Sequence, residues 1–64
     1  MKIFEVEIYH NAVDFLENEY DIYVNYPNYE TKEYHTIQGI KNALKLAKKL
    51  SKKYNVPIRE NIQL

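Results

Sequence analysis

Residues 36–54, TIQGIKNALKLAKKLSKKY, decide the fold because their apolar positions recur with the period of an α-helix. At about 100° per residue, roughly one third of the helix circumference collects the apolar and small side chains. These are Ile40, Ala43, Leu44, Ala47, Leu50, Ser51 and Tyr54. Lysines fill most of the opposite side, namely Lys41, Lys45, Lys48, Lys49, Lys52 and Lys53. The spacing predicts one amphipathic helix of about five turns that covers an apolar layer.

Both ends of this helix carry recognisable signals. Thr36 is predicted to be the N-cap, since its hydroxyl can accept a hydrogen bond from a free amide of the first turn. Asn55 is predicted to adopt the left-handed conformation that ends helices, and Pro57 prevents the helix from continuing. We expect Gly39 in the first turn, packed closely against a strand. We expect Ser51 to hydrogen-bond back to the helix backbone.

Two stretches of the first half alternate with period two, which predicts strands that each bury one face. In residues 2–9 (KIFEVEIY), the inward row is predicted to be Phe4, Val6 and Ile8. The outward row of the same strand is predicted to be Ile3, Glu5, Glu7 and Tyr9. In residues 20–26 (YDIYVNY), the predicted inward row is Tyr20, Ile22, Val24 and Tyr26. Its predicted outward row is Asp21, Tyr23 and Asn25.

Turn signals organise the remaining segments. Pro27-Asn28 predicts a turn, after which residues 31–35 return as a short third strand. Residues 56–59 predict a fourth strand, with Pro57 placing it at a sheet edge or a strand start. Residues 10–19 fit a wide connection, a short helical turn or a bulged extension of the strands, with a turn-like Asn18-Glu19.

The predicted element order is β-β-β-α-β. This order indicates an α+β fold, a small two-layer sandwich with one amphipathic helix on a three- to four-stranded, mostly antiparallel sheet. A right-handed crossover through the helix would place the last strand parallel to the first and beside it, in the order 3-2-1-4. Residues 1–64 are predicted to form a single domain, because a chain of 64 residues has no room for a second core.

Charge is divided between the two halves of the chain. Residues 1–30 carry seven acids against Lys2 alone, a net −6, and residues 31–64 carry eight bases against two acids, a net +6. Such asymmetry is typical of a surface for a charged partner. A sheet solubilised by acids and a helix solubilised by lysines would give the same pattern.

Several classes of protein are disfavoured by composition. The chain has no cysteine, so disulfides and thiolate metal sites are excluded. It shows no signal-peptide pattern and no apolar run of membrane-spanning length, so we expect a soluble cytoplasmic protein without a membrane partner.

Catalytic and metal chemistry are also poorly supported. Ser51 is the only serine and lies on the predicted apolar side, so we expect neither an enzyme nor a cofactor. Glu5 and Glu7 are expected to face solvent, outside any cleft that would shift a pKa. His10, Asp14 and His35 could be proposed as metal ligands, but nothing fixes their spacing and no predicted helix pairs two ligands at i, i+4 in the zinc pattern, so we expect no metal.

An acidic, tyrosine-rich sheet surface is the leading functional candidate. We expect a non-enzymatic protein–protein interaction module that binds a host nucleic-acid-handling protein, with carboxylates imitating phosphates. The predicted partner-binding residues are Glu5, Glu7, Asp14, Glu17, Glu19, Asp21 and Tyr23. The bias toward Lys, Asn, Ile and Tyr is typical of AT-rich genomes and mobile elements, which favours a phage or mobile-element inhibitor of the anti-defence or DNA-mimic type.

The alternative is a small nucleic-acid-binding module that uses the lysine side of the helix. Its predicted contact residues are Lys41, Lys45, Lys48, Lys49 and Lys52, which could approach successive phosphates. One arginine in the whole chain leaves little capacity for bidentate base recognition. A homodimer, in which the acidic sheet of one copy meets the basic helix of another, is a third possibility.

Overall fold

The computed structural model describes residues 2–11 and 18–63. It contains strands β1 (Glu5–Asn11), β2 (Glu19–Asn25) and β3 (Thr31–Gln38), then helix α1 (Ile40–Tyr54) and strand β4 (Ile58–Gln63). The predicted β-β-β-α-β order and the α+β class are confirmed. The connection predicted for residues 10–19 falls mainly on residues 12–17, outside the described residues, while Asn18 is in a turn.

The four strands form one mixed sheet in the order β3-β2-β1-β4, as predicted. β2 pairs antiparallel with both β1 and β3, and β4 pairs parallel with β1. The parallel pair is possible because α1 provides the crossover between β3 and β4. In the described part of the chain, no helix has both the length and the apolar character needed to cross a membrane.

The core lies between α1 and the two central strands. Its buried members are Val6, Ile8, Ile22, Val24, Ala43, Ala47 and Leu50. The two alanines place small side chains on the helix where it packs on β1 and β2, so the helix backbone can approach the sheet closely. Partly buried side chains surround this centre, namely Ile3, Tyr20, Ile37, Leu44, Leu46, Tyr54, Val56 and Ile58. The predicted inward rows of the strands and the helix stripe are therefore confirmed in their central positions.

The prediction was wrong at the start of the first strand. Phe4 was assigned to the core but is 47% exposed, and its ring contacts Tyr29 edge-to-face at 6.4 Å. Ile3 was assigned to the outward face but packs against the core. Regular alternation begins only at Glu5, where β1 starts, so the two preceding residues do not follow the rule.

The start of the helix was also predicted wrongly. Thr36 is not an N-cap but a residue of β3, which continues to Gln38 because Ile37 packs its side chain against the core. α1 begins at Ile40, and its N-cap is Gly39 with φ 86° and ψ 133°. No strand packs against the α-carbon of Gly39, since an added Cβ would meet only Asn42 Nδ2, at 3.8 Å. The glycine is thus required by its backbone conformation and not by close packing.

The C-terminal end of α1 follows the prediction for Asn55, which is left-handed with φ 55° and ψ 52° and donates its N–H to the carbonyl of Ser51. The Ser51 hydroxyl donates forward to the carbonyl of Val56, not back to the helix as expected. The fourth strand starts at Ile58 rather than at Val56. Pro57 precedes it, and the Pro57 carbonyl accepts a hydrogen bond from the amide of Val6 at 3.0 Å.

Candidate functional site: the open face of the sheet

One side of the sheet is covered by α1, and the opposite side, here called the open face, carries a polar and aromatic surface. The strand register arranges its side chains in three rows that cross the sheet. The first row is Thr31, Asn25 and Glu5, the second is Tyr34, Tyr23, Glu7 and Arg59, and the third is Thr36, Asp21, Tyr9 and Asn61. Strands from both ends of the chain therefore build this surface jointly.

Glu5 is fixed within the open face by a bidentate ion pair. Arg59 Nε and Nη2 each lie 3.0 Å from one Glu5 carboxylate oxygen, and Asn25 Nδ2 donates to Glu5 Oε2 at 3.1 Å. The Arg59 hydrogen bonds lower the pKa of Glu5, and the Asn25 hydrogen bond adds to this against the opposing effect of burial. Glu5 is only 4% exposed, so the expectation that it faces solvent was wrong.

Glu7 is the second carboxylate that Arg59 contacts. Arg59 Nη2 lies 3.2 Å from Glu7 Oε1, and the Asn25 amide also donates to that oxygen at 3.2 Å. Asn61 Nδ2 donates to the other oxygen, Oε2, at 3.1 Å. The Glu7 side chain keeps 14% exposure, against 5% for that of Glu5. Glu7 is thus the more accessible of the two carboxylates on β1.

Asp21 and two tyrosines form the part of the open face nearest to β3. The Asp21 carboxylate accepts hydrogen bonds from the Tyr34 hydroxyl at 3.1 Å and from the Thr36 hydroxyl at 3.2 Å. The rings of Tyr23 and Tyr34 stack with centroids 5.1 Å apart. Burial raises the pKa of Tyr23, and the neighbouring Asp21 carboxylate adds to the effect. The surroundings of the Tyr23 hydroxyl therefore disfavour negative charge.

A concave depression of about 310 Å³ lies beside these groups. Its lining includes Glu7, Tyr9, Tyr23, Asn25, Tyr29 and Asn61. Tyr29 comes from the turn between β2 and β3, where its φ of 66° and a hydrogen bond from its amide to the Tyr26 carbonyl hold the turn. This turn is the one predicted from Pro27 and Asn28, and it brings Tyr29 to the depression.

The structure brings together five of the seven predicted partner-binding residues. Glu5, Glu7, Asp21 and Tyr23 lie on the open face, and Glu19 alternates with Asp21 on β2. The remaining two, Asp14 and Glu17, lie outside the described residues. Sequence reasoning missed several members of the face: Tyr29, Tyr34, Thr36, Arg59 and Asn61. Four of these five residues lie on β3 and β4, where their alternation could be read from the sequence, and Tyr29 lies in a turn. Which side chains stand beside them follows only from the strand order β3-β2-β1-β4 and its register.

The alternative site on α1 is geometrically separate. All five predicted lysines are exposed, on the side of the helix away from the sheet. Near the end of the helix, the ammonium groups of Lys32 and Lys53 lie 5.3 Å and 5.2 Å from the ring centroid of Tyr54. The Tyr54 hydroxyl donates to Glu33, which lowers the pKa of Glu33 and raises that of Tyr54.

The two histidines considered as metal ligands are not brought together. His10 stacks on Tyr20 at 4.3 Å and donates from Nδ1 to the Glu19 carbonyl at 3.0 Å. His35 is on β3, two strands away, with Nε2 at 3.7 Å from Glu33 Oε1. Asp14 lies outside the described residues. Within residues 2–11 and 18–63, no three His, Asp or Glu side chains are grouped to hold a metal ion.

Comparison with known protein families, with curated proteins and with solved structures gives no match to this chain.

Proposed function

We propose that this chain is a non-enzymatic module that binds a basic surface of another protein through its open face. The observation that carries the proposal is the distribution of charge across the two sides of the fold. The open face holds four carboxylates, Glu5, Glu7, Glu19 and Asp21, against the guanidinium of Arg59, a net −3. Arg59 is the only basic side chain that the described residues place on this face.

The described lysines lie outside the open face. Five occupy the outer side of α1, and Lys32 and Lys53 flank Tyr54. Lys2 lines a second depression, which it shares with Lys53 and Tyr54. Acidic and basic surfaces are therefore on opposite sides of a thin domain, and the field at the open face favours rapid association with a positively charged partner.

The tyrosines of the open face supply contact area for such a partner. Tyr9, Tyr23 and Tyr34 are rigid side chains with an apolar ring and a polar tip, a combination enriched in protein interfaces. Asp21 and Glu7 are held in place by hydrogen bonds, so little side-chain freedom is lost when a partner binds. A nucleic-acid-handling protein fits this chemistry because its binding groove is basic, and a phage or mobile-element inhibitor would use carboxylates where the nucleic acid uses phosphates.

The test compares two double variants with equal changes in net charge. Glu19→Lys with Asp21→Lys reverses charge on the open face, and Glu30→Lys with Glu60→Lys reverses it at two exposed positions outside the three rows. Tagged proteins would be used to capture partners from a lysate of the source cells, with and without duplex DNA as competitor. We expect the first variant to lose a nucleic-acid-binding protein that the wild type and the second variant retain, and we expect DNA to displace it.

Equal capture by both double variants would refute a role for the open face. Glu5 is left unchanged in this design because a lysine there would meet Arg59 at a buried position, and loss of binding would then report unfolding. Circular dichroism melts of both variants control for stability.

The exposed lysines of α1 favour a second candidate, direct nucleic-acid binding. Titration of fluorescent duplex and single-stranded oligonucleotides at two salt concentrations separates it from the first, because phosphate contacts give steeply salt-dependent affinity. If the lysine side is the working surface, Lys45→Gln with Lys49→Gln should weaken oligonucleotide binding while Glu19→Lys with Asp21→Lys should not. Absence of oligonucleotide binding by the wild type would dispose of this candidate.

A further inference from the structure

The depression on the open face has the composition of a site for an organic cation. Three tyrosines, Tyr9, Tyr23 and Tyr29, line it together with the carboxylate of Glu7. Aromatic rings attract cations through their quadrupole, and a nearby carboxylate adds a full opposite charge. The polar remainder of the lining includes Asn25 and Asn61, whose side-chain amides both donate to Glu7 and so hold its carboxylate in one position.

Two features of the surroundings indicate that positive charge is favoured there. Burial raises the pKa of Tyr23 most, and burial disfavours charge of either sign; the smaller contributions of the Asp21 and Glu7 carboxylates show that negative groups lie beside this ring. Among the described residues, only Asn61 donates a hydrogen bond to Glu7 Oε2, and a carboxylate oxygen has two lone pairs. A further donor can therefore be accommodated at this oxygen.

The open face already binds one guanidinium, that of its own Arg59. This group bridges Glu5 and Glu7 with distances of 3.0 to 3.2 Å, at the edge of the same row that contains Tyr23. Arg59 contacts Glu7 from β4 and is not among the residues that line the depression. The Glu7 carboxylate thus contacts Arg59 and also lines the depression.

We propose that this depression receives an arginine side chain of the partner protein. This proposal rests on the proposed function of the open face. Its shallow form, with Tyr29 67% exposed at the rim, suits a side chain projecting from a larger surface better than an enclosed small molecule. Arginine fits better than lysine because its planar guanidinium stacks on aromatic rings and is less strongly hydrated.

The site can be tested without knowing the partner. The probes are the blocked peptide acetyl-Gly-Arg-Gly-amide, its lysine counterpart and its citrulline counterpart, which keeps the shape of arginine without the charge. Each is titrated into the isotopically labelled protein and followed by heteronuclear NMR. We expect millimolar binding of the arginine peptide, with shifts centred on Glu7, Tyr9, Tyr23 and Tyr29, weaker binding of lysine, and no saturable binding of citrulline.

Two variants and one control locate the effect. Glu7→Gln should weaken arginine binding about tenfold, since a charge-assisted contact becomes a neutral one. Tyr29→Leu should weaken it severalfold and cannot act by unfolding a core, because Tyr29 is exposed. Glu60→Gln makes the same change in net charge at an exposed position that alternates with Arg59 and Asn61 on β4, and it should leave binding unchanged.

Equal shifts with arginine and citrulline, or unchanged arginine binding in both Glu7→Gln and Tyr29→Leu, would overturn the proposal. Its failure is distinguishable from failure of the proposed function. If the peptides do not bind but charge reversal at Glu19 and Asp21 still abolishes capture, only the arginine site is wrong. If the peptides bind as expected and capture is insensitive to charge reversal, the site stands and the protein-binding role of the wider face falls.

Discussion

Replacing Gly39 with alanine should destabilise the protein through the backbone alone. Gly39 joins β3 to α1 with φ 86° and ψ 133°, close to the region that only glycine occupies readily. An added Cβ would meet nothing nearer than Asn42 Nδ2 at 3.8 Å, which is ordinary van der Waals contact. The cost is therefore that of forcing an L-residue into this conformation, about 1–3 kcal/mol.

That cost is a large fraction of the stability of so small a domain, which is about 3–5 kcal/mol. At roughly 4–8 °C per kcal/mol, Gly39→Ala should lower Tm by about 5–20 °C. Far-ultraviolet circular dichroism during heating and urea titration at 25 °C measure the change, and Gln38→Ala, at the neighbouring exposed strand position, is the control. A Tm for Gly39→Ala within about 2 °C of that of the control would refute the backbone explanation for this glycine.

Three further changes test other parts of the fold. Ile22→Ala removes a fully buried side chain from the centre of the sheet, so it should cost about 2–5 kcal/mol, which is between about half and all of the stability of the domain, and strongly lower the circular dichroism melting temperature; a two-state melt near wild type would contradict the core assignment. Asn55→Ala should cost about 1 kcal/mol in urea titration and Asn55→Gly should cost nothing, because the left-handed conformation with φ 55° penalises alanine and not glycine. Glu5 has a lowered pKa in the folded state, so its contribution to stability is present above the unfolded-state value of 4.5 and is lost as pH falls. Urea midpoints measured from pH 7 to pH 3 should therefore fall less in Glu5→Gln than in the wild type, and parallel profiles would show that the Glu5 carboxylate is not the linked group.

Much of the fold could be predicted because its main determinants are periodic and local. Val6, Ile8, Ile22 and Val24 alternate along their strands, and all four are fully buried. The helix stripe repeats at helical spacing and places Ala43, Ala47 and Leu50 in the same core. Once three strands and a helix are given, the parallel fourth strand follows from the connection through the helix. No long-range information is needed for any of these steps.

The junction between β3 and α1 could not be predicted from local signals, because two of them compete. Thr36 is a favourable N-cap, yet residues 36–38 also continue the alternation of β3 and bury part of Ile37. Pairing with β2 stabilises the extended form, since Asp21 lies opposite Thr36 and its carboxylate accepts a hydrogen bond from the Thr36 hydroxyl. Strand pairing therefore outweighs the capping preference of Thr36. The chain turns from β3 into α1 at Gly39 instead, where the positive φ of 86° favours glycine.

The contacts between side chains on the open face could not be predicted from local signals either. Alternation assigns Glu5 and Glu7 to one side of β1, but it does not say which side chains stand beside them. Arg59 is far away in sequence and reaches both carboxylates only because β4 pairs with β1 in one particular register. With Arg59 in place, Glu5 is buried and Glu7 stays partly accessible. The accessible acidic surface is therefore centred on Glu7, Asp21 and the tyrosines between them, and not on Glu5. A contact surface chosen by counting acids would put equal weight on Glu5, whereas the structure makes that residue a part of the framework on which the accessible groups are held.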